Sequence, residues 1–275
     1  MTYAWLLLGS TEPRGCPPPR VRCTRSAMTA SDTRPMTLVD ARALLAQSRD
    51  VADMSFAGLD LRRAVSDSPG AIPRTFQRCD FRECSLAGLD LTGVTFDCCV
   101  FDEADISGAD LENSSWLAGS GLKLQAVGAR ANGARFERCT MIGADWSQAS
   151  LAGARFKGVR LAGASFARAR LRDTSFEDCQ LIAADMRNIS FHRQTLRHVD
   201  FSDANLAGSD LRDATLDGCR LRGVKLTGAQ CAGADLRGSD LGALAAADCI
   251  ALRGAIISPE QAGEIVRGLG LLVRG

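Results

Sequence analysis

The chain of 275 residues is poor in the side chains that most enzyme sites use. It contains only two histidines, one tyrosine and three lysines. His192 and His198 alone leave little material for a histidine-based metal site or a Ser-His-Asp triad. Three lysines leave few candidates for Schiff-base chemistry. The composition therefore points away from an enzyme, and we expect no catalytic, metal-binding or cofactor-binding residues.

An excess of one charge and long apolar runs are also missing. The 33 basic and 32 acidic residues leave a net charge of +1, which argues against coating of nucleic acid or a polybasic membrane anchor. The longest early apolar run, residues 4–9, is far shorter than the roughly 20 residues that span a bilayer. Eleven cysteines are an odd number in a chain too long to need disulfide staples. We therefore expect reduced thiols and a cytoplasmic protein with no direct nucleic-acid or membrane contact.

What the chain does have is a five-residue period. All eleven phenylalanines, from Phe56 to Phe201, occupy positions that leave remainder one on division by five. These centre positions hold mostly large apolar residues from 76 to 256. A small residue stands two before many centres, a short polar residue directly before, and often glycine two after, as in Ala204-Asn205-Leu206-Ala207-Gly208. A period of five fits neither a helix nor a flat strand. It predicts a short extended segment followed by a turn, repeated.

The pattern A(D/N)LxG resembles the pentapeptide-repeat family over residues 51–256. The resemblance implies an all-β solenoid, a right-handed quadrilateral β-helix with four pentapeptides per coil. A second period of twenty supports four repeats per coil independently. Aromatic residues recur every twenty residues from Phe56 through Phe76 to Phe176, and Cys79, Cys99, Cys139, Cys179 and Cys219 form a parallel series. At the roughly 4.8 Å spacing of stacked strands, we expect about ten coils. Most of these cysteines would lie too far apart to share a metal, so we interpret them as core packing.

The segments outside the repeat predict separate terminal elements. Residues 1–36 are rich in proline and arginine without periodicity, which indicates a disordered tail or a mis-assigned start. Thr37 is suited to cap a short helix, 38–48, within an N-terminal capping segment 37–50. We expect a loop where the repeat weakens at 62–75. We also expect a thin coil with a bend or local loosening at 117–133, where the centres shrink to Gly121, Ala126 and Ala131.

A C-terminal capping helix is expected within residues 257–275. Ser258-Pro259-Glu260-Gln261 reads as a capping box with proline at the first helical position. Ala262, Ile265, Val266 and Leu269 follow at helical spacing. The segment resembles the C-terminal cap of gyrase-protecting pentapeptide-repeat proteins of the quinolone-resistance type, which implies a homodimer joined end to end through these four residues.

Charge is unevenly distributed along the repeat. Residues 76–115 carry nine acidic residues and two arginines, a net charge of −7, whereas 154–172 carry six basic residues and no acidic one. The predicted partner-binding residues lie in the acidic stretch: Asp97, Asp102, Glu103, Asp105, Asp110 and Glu112. Surface carboxylates also keep a protein soluble, so the pattern alone does not require a partner.

The sequence therefore predicts a non-enzymatic, protein-binding rod. Resemblance at the cap implies a DNA-mimicking modulator or protector of DNA gyrase or topoisomerase IV. In residues 51–275, 26 basic residues nearly balance 28 acidic ones, so mimicry along the whole rod is not expected. The alternative is a generic interaction scaffold or a secreted bacterial effector, for which the tail 1–36 would be an export signal.

Overall fold

The computed structural model describes residues 36–65, 72–242, 244, 246–270 and 272. The tail expected at 1–36 lies outside this part except for Met36. The elements in chain order are α1 (Leu38–Gln47), β1 (Asp50–Ala52), α2 (Arg62–Val65), β2 (Thr75–Gln77), β3 (Thr95–Asp97), β4 (Ser115–Leu117), β5 (Arg135–Glu137), β6 (Arg155–Lys157), β7 (Ser175–Glu177), β8 (Thr195–Arg197), β9 (Thr215–Asp217), α3 (Ala246–Ala251) and α4 (Pro259–Gly268). Among the described helices, none is long and apolar enough to cross a bilayer.

The strands stack into a parallel β-solenoid, as the repeat predicted. β1 to β9 form one nine-stranded parallel sheet in sequence order, one strand per coil, against the ten or so coils expected. From β2 to β9 the register advances by twenty residues, as in Phe136↔Phe156. Three further ladders of isolated bridges give each coil four sides. We call the side with β1–β9 side A, and the other sides follow along the chain. Side B has the ladder that includes Asp80↔Val100, side C the one with Ser85↔Asp105, and side D the one with Asp90↔Asp110.

The five-residue phase decides which residues enter the core. Centre residues such as Phe136 and Leu151 are fully buried, and so are small residues two before them, such as Ala134. From Phe76 to Leu236, the position two after each centre turns the corner with a positive φ, 64° at Gly158 and 55° at Arg138. Only glycine adopts this conformation without steric cost, which explains why glycine recurs at this phase.

The expected register is wrong at both ends of the solenoid. Val51, not Phe56, pairs with Phe76, an advance of 25 residues, because the chain containing α2 lengthens the first coil. Phe56 instead stacks on Phe81, with ring centroids 5.0 Å apart. At the other end Ile256 pairs with Asp235. The Ile256 side chain is 45% exposed, so it is not a buried centre residue.

The thin coil at 117–133 shows no interruption in its ladders, so the expected local loosening is wrong. Bridges run from Val100 through Ser120 to Thr140 without a break. Leu124 occupies a position that is usually small and is fully buried. A Cβ placed on Gly121 would lie 3.3 Å from a methyl group of Leu124. A large residue directly after the corner thus fills the space that the missing centre side chain leaves.

Both terminal helices begin at the predicted caps. Thr37 accepts a hydrogen bond from the Asp40 amide at the start of α1, and Ser258 accepts one from the Gln261 amide at the start of α4. Ala41 and Leu45 of α1 are buried in the core, so α1 covers the first coil. Such end caps protect a repeat stack from exposing its last apolar layer.

The cysteine series forms an inward column. Cys79, Cys99, Cys139, Cys179 and Cys219 are free, buried thiols, and no metal-binding cluster exists among the described residues. Burial raises the pKa of Cys139, Cys179 and Cys219 to about 11, so these thiols stay protonated at neutral pH. The expectation of reduced thiols is wrong at Cys98, which lies on an outward position and is disulfide-bonded.

Replacing Cys139 with serine should change the free energy of unfolding by less than about 1 kcal/mol, measured by denaturant unfolding. The Sγ of Cys139 donates to the Trp116 carbonyl at 3.3 Å. Ser239 continues the same column and donates its hydroxyl to the Leu216 carbonyl at 2.7 Å. A serine at 139 therefore has an acceptor ready. A loss above about 2 kcal/mol would show that the hydroxyl stays unpaired.

Candidate partner-binding surface

The six predicted carboxylates all lie in the acidic coil, residues 94–113, which contains no lysine or arginine. They do not form one patch. Asp97 lies on side A, Asp102 and Glu103 on side B, Asp105 on side C, and Asp110 and Glu112 on side D. Because one coil takes twenty residues, charges that are contiguous in sequence encircle the solenoid. A partner that contacts one side, or two adjacent sides, would meet one to three of them.

The next coil engages several of these carboxylates. Arg130 lies 2.6 Å from Asp110, and Lys123 lies 3.0 Å from Glu103. Partial burial alone would raise the pKa of Asp110, but the hydrogen bond from Arg130 lowers it below its usual range. Both pairs are partly or largely exposed, so each contributes little to stability.

Three further hydrogen bonds orient carboxylates of the acidic coil without neutralising them. Asp102 accepts hydrogen bonds from the Leu122 amide at 2.9 Å and from the Ser120 hydroxyl. Glu112 accepts one from the Asn132 side chain at 3.0 Å. These neutral donors hold the carboxylates in place and leave their charge available for a partner.

A basic coil, residues 154–173, lies three coils further along. Its cations also encircle the solenoid: Arg155, Lys157, Arg160, Arg168, Arg170 and Arg172. Three coils correspond to about 14 Å along the axis. Because the two coils are more than a Debye length apart at physiological ionic strength, about 8 Å, each presents its own field to solvent. The solenoid is thus polarised along its axis.

The four predicted dimer residues of α4 differ in exposure. Ile265 packs against the core, Ala262 and Val266 are half-buried, and Leu269 is 45% exposed. Leu269 lies in the same C-terminal segment as exposed Ile256, at 45%, and Leu272, at 85%. The apolar surface available at this end is therefore carried by Leu269 and Leu272 more than by Ile265.

Gln261 has a role that the capping box did not reveal. Its side-chain amide is buried and donates to the carbonyls of Leu236, at 2.8 Å, and Ser239, at 2.6 Å. Its oxygen accepts from the Ser258 amide at 2.8 Å. A glutamine on an otherwise apolar inner face of the helix was the signal in the sequence. This side chain ties α4 to the last complete coil.

The chain is similar to known proteins in its repeat and in its fold. A family model described as pentapeptide repeats matches eight copies, over residues 76–113, 132–166, 147–178, 174–213 and 204–242. No curated protein matches. Among solved structures, full-length QnrB1, described as a plasmid-mediated fluoroquinolone resistance protein, has a TM-score of 0.58 at 19% identity, covering 81% of this chain and 100% of its own.

Two trypsin-treated variants of QnrB1 are similar to the same extent. One has a TM-score of 0.58 at 20% identity and covers 81% of this chain and 99% of its own. The other has a TM-score of 0.55 at 18% identity and covers 82% of this chain and 100% of its own. At these identities the likeness establishes a shared fold.

Proposed function

Because the chain belongs to the pentapeptide-repeat family, we propose that it is a non-enzymatic, protein-binding rod whose partner is a type II topoisomerase, DNA gyrase or topoisomerase IV. The observation that carries the proposal is the acidic coil, with six carboxylates and no cation in its twenty residues. A coil ringed by carboxylates resembles the phosphates of a DNA backbone in the sign of its charge. The likeness to fluoroquinolone resistance proteins supports this choice of partner.

The proposed mechanism is electrostatic mimicry confined to one coil. Carboxylates of the acidic coil would occupy a DNA-binding groove of the topoisomerase, where phosphates otherwise lie. Attraction of this kind acts at long range and weakens steeply with salt. A desolvated charge pair in such an interface matters by about 2–5 kcal/mol, whereas a charge at its rim mainly changes the association rate.

Neutralising the acidic coil should abolish any effect on DNA supercoiling by gyrase. The variant replaces Asp102, Asp105 and Asp110 with asparagine and Glu103 with glutamine. The fold should persist, because the two ion pairs lost are largely surface contacts. The matched control replaces Asp235 and Asp240, far along the solenoid, with asparagine and should change little. The proposed partner is wrong if the purified wild-type protein, at micromolar concentration, neither inhibits gyrase nor rescues it from a quinolone.

Two smaller variants would assign the side that faces the enzyme. One neutralises Asp102 and Glu103 on side B, and the other neutralises Asp110 and Glu112 on side D. Because a groove contacts one or two sides of the solenoid, we expect the two variants to differ in supercoiling assays. Small and equal losses of the effect on supercoiling in both variants would contradict insertion into a groove.

We also propose a two-fold dimer through α4. Leu269→Asp should convert the protein to a monomer in sedimentation velocity, because it places a charge on the exposed apolar end. Leu269 is a better position than Ile265, whose replacement would also disturb the core. Val39→Asp, a 75% exposed residue of α1 at the opposite end, is the control and should leave the dimer intact. A monomeric wild type would rule the dimer out.

A further inference from the structure

A row of apolar side chains runs along side B. Leu122, Ile142, Ala162 and Ile182 each lie one residue after a core centre and point outward; Leu122 is 37% exposed and the other three are half-buried. Because they are twenty residues apart, they stand in line on successive coils, at steps of about 4.8 Å. We call these four residues the side-B row.

Side B differs from the other sides in charge. In the three coils 134–193 its outward positions hold one charged residue, Arg160. On side A, β5, β6 and β7 together with the residue after each strand hold seven. Small outward residues such as Gly143, Gly163 and Ala183 flank the row, so the surface around it is also flat.

Arg160 stands beside the side-B row without a counter-ion. It is exposed, and no described residue forms a hydrogen bond or ion pair with its guanidinium. Lys123, the other cation next to the row, is already paired with Glu103 at 3.0 Å. An unpaired guanidinium beside an apolar row is complementary to a carboxylate on a ligand that also covers the row.

A depression of about 320 Å³ continues the same side beyond Ile182. It is lined by Asp200, Ser202, Arg220, Arg222 and Asp240. Its charges are matched internally, since Arg220 lies 3.4 Å from Asp200 and Arg222 lies 2.6 Å from Asp240. Such a site accepts the polar end of a bound peptide more readily than an apolar group. Side B therefore presents an apolar row that ends in a polar recess.

We propose that side B docks an amphipathic α-helix of a protein partner, with its apolar stripe on the side-B row and a carboxylate opposite Arg160. A helix returns a side chain to one face about every 5.4 Å, close to the coil spacing of about 4.8 Å. A strand lying along the same axis would repeat at about 6.8 Å and lose alignment within two coils. The four steps from Leu122 to Ser202 span about 19 Å, which corresponds to about 13 helical residues.

This inference rests on the proposed protein-binding role but not on the identity of the topoisomerase. The acidic coil encircles the solenoid, whereas the side-B row lies mainly beyond it and on one side. The two surfaces are therefore separable by mutation.

The test uses a fluorescein-labelled, 14-residue helical probe peptide with leucines on four successive turns and one glutamate beside the third leucine. Fluorescence anisotropy with the full chain should show saturable binding. Ile142→Glu should weaken binding about tenfold or more, because it puts a charge at the centre of the row. Ala152→Glu is the matched control: Ala152 holds the equivalent outward position of the same coil on side D and should leave binding unchanged.

A charge reversal tests the predicted carboxylate contact. Arg160→Glu should weaken binding of the glutamate probe. A probe with lysine in place of glutamate should bind that variant with restored affinity. Absence of saturable binding to the wild type, or equal weakening by Ile142→Glu and Ala152→Glu, would overturn the docking surface. Probe binding by a protein that leaves gyrase unaffected would refute only the proposed partner. A gyrase effect without probe binding would refute only the helix site.

Discussion

Replacing Phe136 with alanine should lower the free energy of unfolding by about 3–5 kcal/mol. The ring is fully buried. It stacks on Phe156 with centroids 4.6 Å apart and planes 9° apart, and meets Trp146 edge to face at 5.3 Å. Trp116 stacks on its other side at 5.9 Å. The cavity would therefore remove contacts to the coils above and below, and the stability of a solenoid depends on these neighbouring interfaces.

Denaturant unfolding followed by circular dichroism measures this loss. Arg135→Ala is the matched control, since Arg135 is the adjacent residue in β5 and points outward. It should change stability by less than about 0.5 kcal/mol. A Phe136→Ala variant within about 1 kcal/mol of the wild type would mean that the surrounding coils collapse into the space.

Replacing Gln261 with alanine should cost about 2–4 kcal/mol and loosen the C-terminal end. The substitution leaves the Ser239 carbonyl and the Ser258 amide without these hydrogen bonds, whereas the Leu236 carbonyl retains the one from the Ser239 amide at 3.0 Å. Buried polar groups without partners are costly because they lose water as well. Without this tie, α4 would no longer cover the last coil.

Hydrogen exchange distinguishes this local effect from general destabilisation. Amides of residues 234–240 should exchange faster in Gln261→Ala, while those of β5 and β6 should change less, because a solenoid frays from its ends. Glu264→Ala, an exposed position in the same helix, is the control and should leave both regions protected. Uniform acceleration over the whole chain would contradict a capping role for Gln261.

The terminal register and the arrangement of the candidate site were the parts that sequence reasoning missed. Whether a side chain points into the core or outward depends on its position within a five-residue repeat. The side of the solenoid on which it lies depends on its position within the whole coil. The insertion around α2 adds five residues to the first coil. Phe56 therefore stays buried but moves to a different side. Leu124 compensates for Gly121 only because the two meet across a corner, a contact that the repeat pattern does not contain.

The sequence alone determined the solenoid, its phase and its core, because a local turn repeated every five residues leaves the chain one way to bury its centre positions. Phe136 and Cys139 were assigned to the interior on this basis. Only the tertiary structure decided that the six carboxylates of the acidic coil encircle the rod and that the side-B row lies in line. Both placements depend on the exact number of residues that separate two positions around a closed coil. A local pattern is insensitive to that count, whereas the stacked ladders enforce it.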